Sequence, residues 1–208
     1  MKLIVFGATG SIGIQLITQA LQQGHLVTAF TRNPEKLSSY HQTKLTIIKG
    51  DIFNSADVEK AVQQQDCVLC AIGDGNKGTV RAAGTKNIIS AMKKAGISRL
   101  VCQTTLGLGE SNGNLNFLWK YIMFGLLLKK AFRDHEIQEK YLLESGLDYT
   151  IVRPSAFMDG NITRNYKTGF DGRYKKLNLK ITRADVADFM MQQIQSRDYI
   201  KRAVSISN

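Results

Sequence analysis

The sequence contains few of the residues that mark disordered, disulfide-bonded or membrane-spanning chains. Two prolines among 208 residues, and no tract rich in serine and glycine, argue against a disordered arm or a linker. Three cysteines form an odd number and no secretory leader is recognisable, so we expect a reducing, cytoplasmic location. The most apolar run, Phe117–Leu128, is interrupted by Lys120 and Gly125 and is shorter than the roughly 20 residues that span a bilayer. We therefore expect no transmembrane segment.

Acidic residues are also scarce, because 17 Asp and Glu stand against 28 Lys and Arg, for a formal net charge of +11. This imbalance predicts an anionic partner, which on charge alone is a phosphorylated cofactor, a nucleic acid or an acidic membrane surface. Two basic groups, one at Lys129, Lys130 and Arg133 and the other along Arg164–Arg183, are interpreted as solvated faces, since most charge runs are only that. We expect a small-molecule partner and no nucleic acid, and the oligomeric state stays open.

Short apolar runs rich in β-branched residues alternate with longer amphipathic stretches, which is the pattern of βαβ units in a mainly parallel sheet. The pattern predicts a single, doubly wound α/β domain over residues 1–208, with residues 155–208 completing the substrate side. Ligands are expected at the carboxyl ends of the strands, where the winding reverses. Strands are predicted at residues 2–6, 26–31, 45–49, 67–71, 100–103, 149–152 and 204–206. Helices are predicted at residues 11–23, 56–64, 78–95, within 115–145, and at 183–195.

A glycine-rich run directly follows the first predicted strand and opens the first predicted helix. Glycine lets the backbone turn sharply and approach a pyrophosphate, while the free amides and positive end of the helix attract its charge. Gly13 would also let the helix and the strand pack closely. The run therefore predicts a dinucleotide site, and the alternative is a turn that serves packing only. The predicted contact residues are Gly7, Thr9, Gly10, Ser11, Ile12 and Gly13.

The choice of cofactor is expected to depend on the end of the second strand, where Thr31 is followed by Arg32. An NAD-preferring site usually carries an acidic residue here, which accepts hydrogen bonds from the ribose hydroxyls. Arginine accepts none, but its planar guanidinium can hold a 2′-phosphate with charge-assisted hydrogen bonds. The sequence therefore predicts that NADP(H) is preferred to NAD(H). The alternative is that Arg32 is a solvated loop residue and that specificity is loose.

Further pieces of sequence, beside the glycine run, match a known family. The pieces are Thr31-Arg32-Asn33-Pro34, Gly50-Asp51-Ile52, Ala71-Ile72-Gly73, Glu144–Pro154 and Ile181–Ala187. On these pieces, and over nearly its whole length, the chain resembles the atypical short-chain dehydrogenase/reductases that include the NmrA-like and biliverdin reductase B (flavin reductase)-like proteins. The resemblance implies a Rossmann-like fold that binds NAD(P), although members of this group differ in what they do.

The resemblance also implies cofactor contacts beyond the glycine run. Asp51 and Ile52 would flank the adenine, with a turn residue and a core residue as the respective alternatives. Ala71, Ile72 and Gly73 would line the path under the ribose and the diphosphate.

At the nicotinamide end, the resemblance implies that two threonines closing the fifth strand face the ring. Thr105 would hydrogen-bond a substrate carbonyl or the carboxamide, and it is the one candidate catalytic residue. The alternatives are that the threonines are only strand formers and that Pro154 is only a strand terminator. The residues implied at this end are Thr104, Thr105, Pro154, Ser155, Ala156 and Phe157.

The sequence departs from the wider superfamily because it lacks a well-placed Tyr-x-x-x-Lys pair, the usual source of the general acid. Such residues lie four apart on one helix face, where the lysine lowers the pKa of the tyrosine. Tyr40 and Lys44 match the spacing but lie between the second and third predicted strands, so the match is interpreted as chance. Tyr121 and Tyr141, in the helical region after the fifth strand, have no lysine four residues on. A tyrosine-catalysed dehydrogenase or epimerase is therefore disfavoured.

Reduction of a flavin, a quinone or a similar conjugated acceptor needs an apolar, aromatic-lined pocket more than a dedicated acid. Most aromatic residues at helical spacing are core, and that is the alternative for each candidate. His135 is expected to be a solvated helix residue, with a weaker hypothesis that a neighbouring carboxylate raises its pKa and makes it a proton donor. The candidate lining residues are Phe117, Trp119, Tyr121, Phe124 and Phe157.

No metal site is expected. Cys67 and Cys70 lie on one predicted strand with an odd separation, which sends their thiols to opposite faces. They are interpreted, like Cys102, as buried small hydrophobic residues.

Two functions from different classes fit the sequence. The first is an NADPH-dependent reductase of a small conjugated acceptor. The second is an NAD(P)-sensing regulatory or assembly protein of the NmrA-like type without substantial turnover. The missing Tyr-x-x-x-Lys pair and the apolar run Phe117–Leu128, which could contact a protein or a membrane surface, keep the second function open.

Overall fold

The architecture is an eight-stranded, mainly parallel sheet with helices on both faces, seen in a computed structural model that describes residues 1–40 and 43–208. The strand order is β3-β2-β1-β4-β5-β6-β10-β8, in which only β8 runs antiparallel to its neighbour, and β7 and β9 form a separate small parallel pair. This doubly wound order confirms the predicted fold class. The strands are β1 (Lys2–Phe6), β2 (Leu26–Thr31), β3 (Leu45–Lys49), β4 (Cys67–Cys70), β5 (Arg99–Gln103), β6 (Asp148–Pro154), β7 (Ala156–Met158), β8 (Lys167–Thr168), β9 (Lys180–Thr182) and β10 (Arg202–Ser207).

The helices form two layers that cover the sheet. Helices α1 and α5 pack together on one face, and α2, α3 and α4 pack side by side on the other. In the described part of the chain, no helix is both long enough and apolar enough to cross a membrane. The α-helices are α1 (Ser11–Gln22), α2 (Ser55–Val62), α3 (Arg81–Ala95), α4 (Lys129–Leu143) and α5 (Arg183–Gln192), with short 3₁₀ helices at Pro34–Leu37 and Gly109–Asn114 and a π-helix at Leu118–Leu127.

Central strand β1 shows why the sheet separates two cores. Leu3 and Val5 point into the core under α1 and α5, whereas Ile4 and Phe6 point into the core under α2, α3 and α4. All four side chains are fully buried. A strand covered on both faces must be apolar throughout, which explains the uninterrupted run of large apolar residues here.

The three cysteines are buried in these cores as predicted. Cys67 belongs to the core under α1 and α5, and Cys70 belongs to the opposite core with Cys102, its register partner on β5. Burial raises the pKa of the Cys67 thiol to about 12, so this thiol stays protonated and unreactive.

The region after β5 differs from the single long helical segment expected there. A π-helix spans Leu118–Leu127 and α4 begins only at Lys129, with Leu128 at the junction. The wider π-helical turn changes which side chains share a face, so α-helical spacing does not describe this region.

The carboxyl-terminal quarter contains elements that were not predicted. Strands β7, β8 and β9 are only two or three residues long, too short for an alternating pattern.

Thr182 caps α5 by accepting a hydrogen bond from the Asp185 amide. The buried Asp185 carboxylate in turn accepts bonds from the backbone and hydroxyl of Thr163, which fixes the preceding loop against the helix.

Candidate functional site

A cavity of about 780 Å³ lies along the carboxyl ends of the central strands, where the winding reverses on either side of β1. Its walls come from the loops after β1, β2, β3, β4, β5 and β6, and its outer side comes from the π-helix and the start of α5. A volume of this size lies within the range of small-molecule and cofactor sites. The cavity is therefore at the position expected for a ligand of a doubly wound sheet.

The glycine run forms one end of the cavity, and two of its glycines are required by close packing. Gly7 has φ +83°, and a Cβ there would lie 2.4 Å from the carbonyl oxygen of Ala71. A Cβ on Gly13 would lie 2.1 Å from the carbonyl oxygen of Gly7. Gly13 lies outside the cavity lining and lets α1 cross β1 closely, the packing role predicted for it. The lining includes the other predicted residues of the run, Gly7, Thr9, Gly10, Ser11 and Ile12.

The start of α1 has the features of an anion site. Gly10 occupies the N-cap position, no side chain in the described residues caps the helix, and its first turn carries no acidic residue. The amides of this turn and the positive end of the helix dipole are thus directed at the cavity without a competing negative group. A diphosphate fits this cradle, because the side chains that would fill it are absent at Gly7 and Gly10.

The end of β2 places the predicted specificity residue at the cavity wall. Arg32 lines the cavity and is exposed, so its guanidinium can reach a charged group at the mouth. Thr31 also lines the cavity; its hydroxyl accepts a hydrogen bond from the Asn33 amide at 3.1 Å and lies 3.4 Å from the hydroxyl of Thr9. These contacts tie the β2 loop to the glycine run.

The predicted residues after β3 and β4 fall into two groups. Ile52, Ala71, Ile72 and Gly73 line the cavity between the glycine run and α3. Asp51 does not line it; its carboxylate accepts a hydrogen bond from the Phe53 amide at 3.0 Å. The structure thus gives Asp51 the turn role that was the alternative at this position.

The two threonines after β5 differ in what their hydroxyls do. Thr104 lines the cavity but is buried, and its hydroxyl donates to Glu139 at 2.7 Å. Glu139 is also held by two hydrogen bonds from Arg153, so Thr104 belongs to a buried ion-pair network. Thr105 lines the cavity and is half-buried, and its hydroxyl makes, among the described residues, only a long 3.3 Å bond to the carbonyl of Leu106. Of the two, Thr105 has the hydroxyl that can turn to a ligand.

The predicted segment after β6 lies on the far side of the cavity. Pro154, Ser155, Ala156 and Phe157 all line it. The Ser155 hydroxyl is buried and has no hydrogen-bond partner among the described residues. A buried hydroxyl without a partner is costly, so it indicates a group that a bound ligand would satisfy.

Aromatic residues enclose the cavity at this end, but only some of the predicted ones. Trp119 and Phe124, whose rings lie 5.6 Å apart, line it together with Phe157. The prediction for Phe117 and Tyr121 is wrong, because neither lines the cavity: both side chains are exposed, and their ring centroids lie 5.0 Å apart. Arg183 also lines the cavity and covers the Phe157 ring, although it was assigned to a solvated face.

His135 is buried in the cavity wall, so its expected surface position is wrong. Burial, with the nearby Arg81 guanidinium, lowers the pKa of His135 to about 3, which also contradicts a raised pKa. Nδ1 lies 2.9 Å from Oε1 of Gln138, and Nε2 of that amide donates to Thr85 and to Cys102. Since Gln138 Oε1 can only accept, Nδ1 carries the proton and Nε2 of His135 is a hydrogen-bond acceptor.

Sequence reasoning missed Arg81 as a residue of the site. It lines the cavity and is buried at the start of α3, with its guanidinium 2.7 Å from Asp74. Its backbone amide donates to Asp134, which reaches across from α4 to cap α3. Nothing in the local sequence relates Arg81 to Asp134, because the contact depends on how α3 packs against α4.

The Tyr40–Lys44 match takes no part in the site. Tyr40 packs against the core under α1, the Lys44 ammonium donates to the carbonyl of Gly24, and neither residue lines the cavity. The match was correctly interpreted as chance.

Comparisons with known proteins agree with this geometry. The family described as NAD(P)H-binding matches residues 7–197. The photosystem II assembly factor Ycf39 of a Synechocystis strain is 30% identical over 167 residues, covering 78% of this chain and 47% of Ycf39, so the chain spans about half the length of that relative.

Solved structures are similar over the whole chain. The anaerobilin reductase ChuY of Escherichia coli O157:H7 has a TM-score of 0.85 and 25% identity, covering 100% of this chain and 97% of ChuY. A short-chain dehydrogenase/reductase of Veillonella parvula, solved in complex with NADP, has a TM-score of 0.83 and 18% identity. The match covers 100% of this chain and 94% of the Veillonella chain. The second likeness shows the fold alone.

The environment of His135 predicts that its ring stays neutral throughout the range in which proteins function. In nitrogen-edited NMR spectra recorded between about pH 5 and pH 8, the His135 ring should show one neutral tautomer and no titration, because a free histidine titrates near 6.5. The His135→Gln variant identifies the signal by its loss. A His135 signal that titrates near neutral pH would contradict the buried position.

Proposed function

The chain belongs to the NAD(P)H-binding family, among the atypical short-chain dehydrogenase/reductases that its sequence resembles, and from this premise we propose that it is an NADPH-dependent reductase of a small conjugated acceptor, such as a flavin or a quinone. The observation that carries the proposal is one continuous cavity with an anion cradle at one end and an aromatic enclosure at the other. The two ends suit a diphosphate and a flat ring, respectively.

The cofactor would be held by this chain along the strand ends. The amides of Gly10, Ser11 and Ile12 bind the diphosphate, and Arg32 binds the phosphate on the adenosine ribose. Thr105 and the stretch from Pro154 to Phe157 would hold the nicotinamide, and the Ser155 hydroxyl, which has no partner among the described residues, would bond its carboxamide. The bound cofactor supplies a hydride.

The acceptor side of the cavity is apolar and aromatic. Trp119, Phe124 and Phe157 provide flat surfaces, and Leu179, which packs with Trp119 and Phe124, adds an apolar side chain to the lining. These surfaces would hold a planar acceptor in contact with the nicotinamide, and positioning of this kind is the main thing that hydride transfer would require from the protein. Thr105 is placed to orient a carbonyl of the acceptor through its weakly used hydroxyl.

The protonation state of the polar side chains around the cavity favours a conjugated acceptor over a simple ketone or aldehyde. His135 is neutral, with its acceptor nitrogen unprotonated, and the Thr104 hydroxyl proton is held by Glu139. These groups do not replace the acid of a Tyr-x-x-x-Lys pair. A flavin or a quinone would not need such an acid from the protein, because its reduced form is basic enough to take a proton from water.

The second candidate function, an NAD(P)-sensing regulatory or assembly protein, is favoured by one observation. The chain is 30% identical to a photosystem II assembly factor over most of its own length. In that function the same cradle binds the cofactor, and the aromatic end serves a contact instead of a reaction.

Turnover with an external acceptor separates the two candidate functions. We expect the purified chain to oxidise NADPH in the presence of FMN or a simple quinone, at a rate above the uncatalysed background. Trp119→Ala should lower the acceptor-dependent kcat by at least about tenfold through loss of stacking, with NADPH affinity retained. The control is Phe117→Ala, which removes an aromatic ring two residues away on the outer face and should change neither quantity.

Tight NADPH binding without oxidation by any acceptor in the panel would contradict the reductase and support the regulatory function. Equal losses in the Trp119 and Phe117 variants would place the acceptor elsewhere.

The role of Arg32 predicts a selective effect on the phosphorylated cofactor. Arg32→Ala should weaken NADPH binding by about 10- to 100-fold, the effect of losing a charged hydrogen bond, and should change NADH binding little. Calorimetric titration with both cofactors measures the two affinities. Arg202→Ala, an exposed arginine at the first residue of β10, is the matched control for charge loss. Equal losses for the two cofactors would show that the 2′-phosphate is bound elsewhere.

A further inference from the structure

The apolar segment Phe117–Leu128 has two faces that differ in what covers them. On its inner face, Trp119 and Phe124 pack against Leu106 and Leu179 beside the cavity. Its outer face is not covered by the described part of the chain, because no residue of Leu118–Leu127 is buried. Phe117 and Leu126 are the most exposed of the outer residues, each at 72%. The remaining large apolar residues of this face are Leu118, Tyr121, Ile122 and Leu127.

The segment that carries this face, and the start of the helix after it, contain basic residues and no acidic ones. The sequence contains no Asp or Glu between Glu110 and Asp134. Four basic residues fall within that interval, and all are exposed. We call them the basic cluster: Lys120, Lys129, Lys130 and Arg133.

The other exposed apolar residues of the molecule do not form a face of this kind. Leu26 at the start of β2, Phe53 in the loop after β3 and Leu143 at the end of α4 are exposed in separate parts of the chain, and scattered residues of this kind are normal on protein surfaces. The apolar segment instead presents six large apolar side chains side by side, next to a cluster of one charge sign. Helical segments with aromatic and leucine side chains beside lysines bind at the interface of a lipid bilayer.

We propose that the apolar segment and the basic cluster dock this protein onto a membrane surface that contains anionic lipids. The side chains of Phe117, Leu126 and Leu127 enter the boundary between headgroups and acyl chains. The basic cluster contacts the lipid phosphates, which attract cations close to the surface. The inner face holds the segment to the body of the protein, so the outer face meets the bilayer as a preformed surface.

Charge argues against a second copy of this chain as the occupant. A twofold contact through this face would place the same patch against itself, as all such dimers do. The two basic clusters would then bring eight cations together without an acidic residue from either apolar segment to offset them. An anionic bilayer satisfies both the apolar and the basic parts of the face.

Docking would also position the mouth of the cavity. Trp119, Phe124 and Leu128 belong to the apolar segment and line the cavity, so its aromatic end would lie beside the lipid. A lipid-soluble quinone could then enter from the bilayer. Only this consequence rests on the proposed reductase function, whereas docking itself does not.

Cosedimentation of the full chain with vesicles tests the proposal without using turnover. We expect binding to vesicles of mixed phosphatidylcholine and phosphatidylglycerol, and much weaker binding to phosphatidylcholine alone or in high salt. The double variant Phe117→Ser/Leu126→Ser and the double variant Lys129→Gln/Lys130→Gln should each lower binding to the mixed vesicles by at least about tenfold. The matched controls are Leu26→Ser/Leu143→Ser and Lys175→Gln/Lys176→Gln, which should stay within about twofold of the unchanged chain. Retained NADPH binding shows that each variant is folded.

Three outcomes would overturn the proposal. The first is no binding to the mixed vesicles, and the second is binding that the controls reduce as much as the test variants do. The third is a dimer in sedimentation velocity that Phe117→Ser/Leu126→Ser dissociates, without vesicle binding, which would identify a second copy as the occupant. Vesicle binding by a chain that oxidises no NADPH would contradict the reductase alone and leave the docking surface intact.

Discussion

The close crossing of α1 over the end of β1 is the contact on which the rest of the site depends. Gly13 passes so near the carbonyl of Gly7 that even a methyl group would lie 2.1 Å from the oxygen. Because the helix crosses there, its first amides point along the carboxyl ends of the central strands. The cradle for an anion is therefore a consequence of backbone packing, and the side chains of the other loops complete it.

Most polar groups around the cavity are already engaged with one another. Arg153 and Glu139 form a buried pair that also binds Thr104, and Arg81 binds Asp74. Buried charges held in this way cost less than unpaired ones and fix the strand ends relative to the helices. Among the described residues, few polar side chains around the cavity are left free to react with a ligand. Those few suit binding and orienting a ligand better than acid catalysis. This arrangement connects the packing of the domain to the class of acceptor proposed for it.

The sequence was sufficient for the fold and for one end of the site. The segments that form the sheet and its helices are long or strongly patterned, so the winding of the sheet was predicted. The glycine run lies between the first strand and the first helix, so the anion cradle was predicted as well. His135 and Arg81 could not be placed from local pattern, because their surroundings come from other elements: Arg81, for example, meets α4 through Asp134. Asp51, in contrast, accepts a hydrogen bond from the Phe53 amide two residues on, which is the turn role that local sequence offered as the alternative. The exposed Phe117 and Tyr121 lie at the start of and within a π-helix, which has no simple periodic signature.

The central claim is that the cofactor diphosphate binds at the start of α1. Amide correlation NMR spectra recorded during titration with NADP⁺ test it most directly, since each backbone N–H reports its own hydrogen bonding. The account predicts the largest shifts at Gly10, Ser11 and Ile12, saturating together with those of Arg32. Spectra in which the glycine run does not respond, or in which the largest changes fall at the opposite end of the sheet, would contradict it.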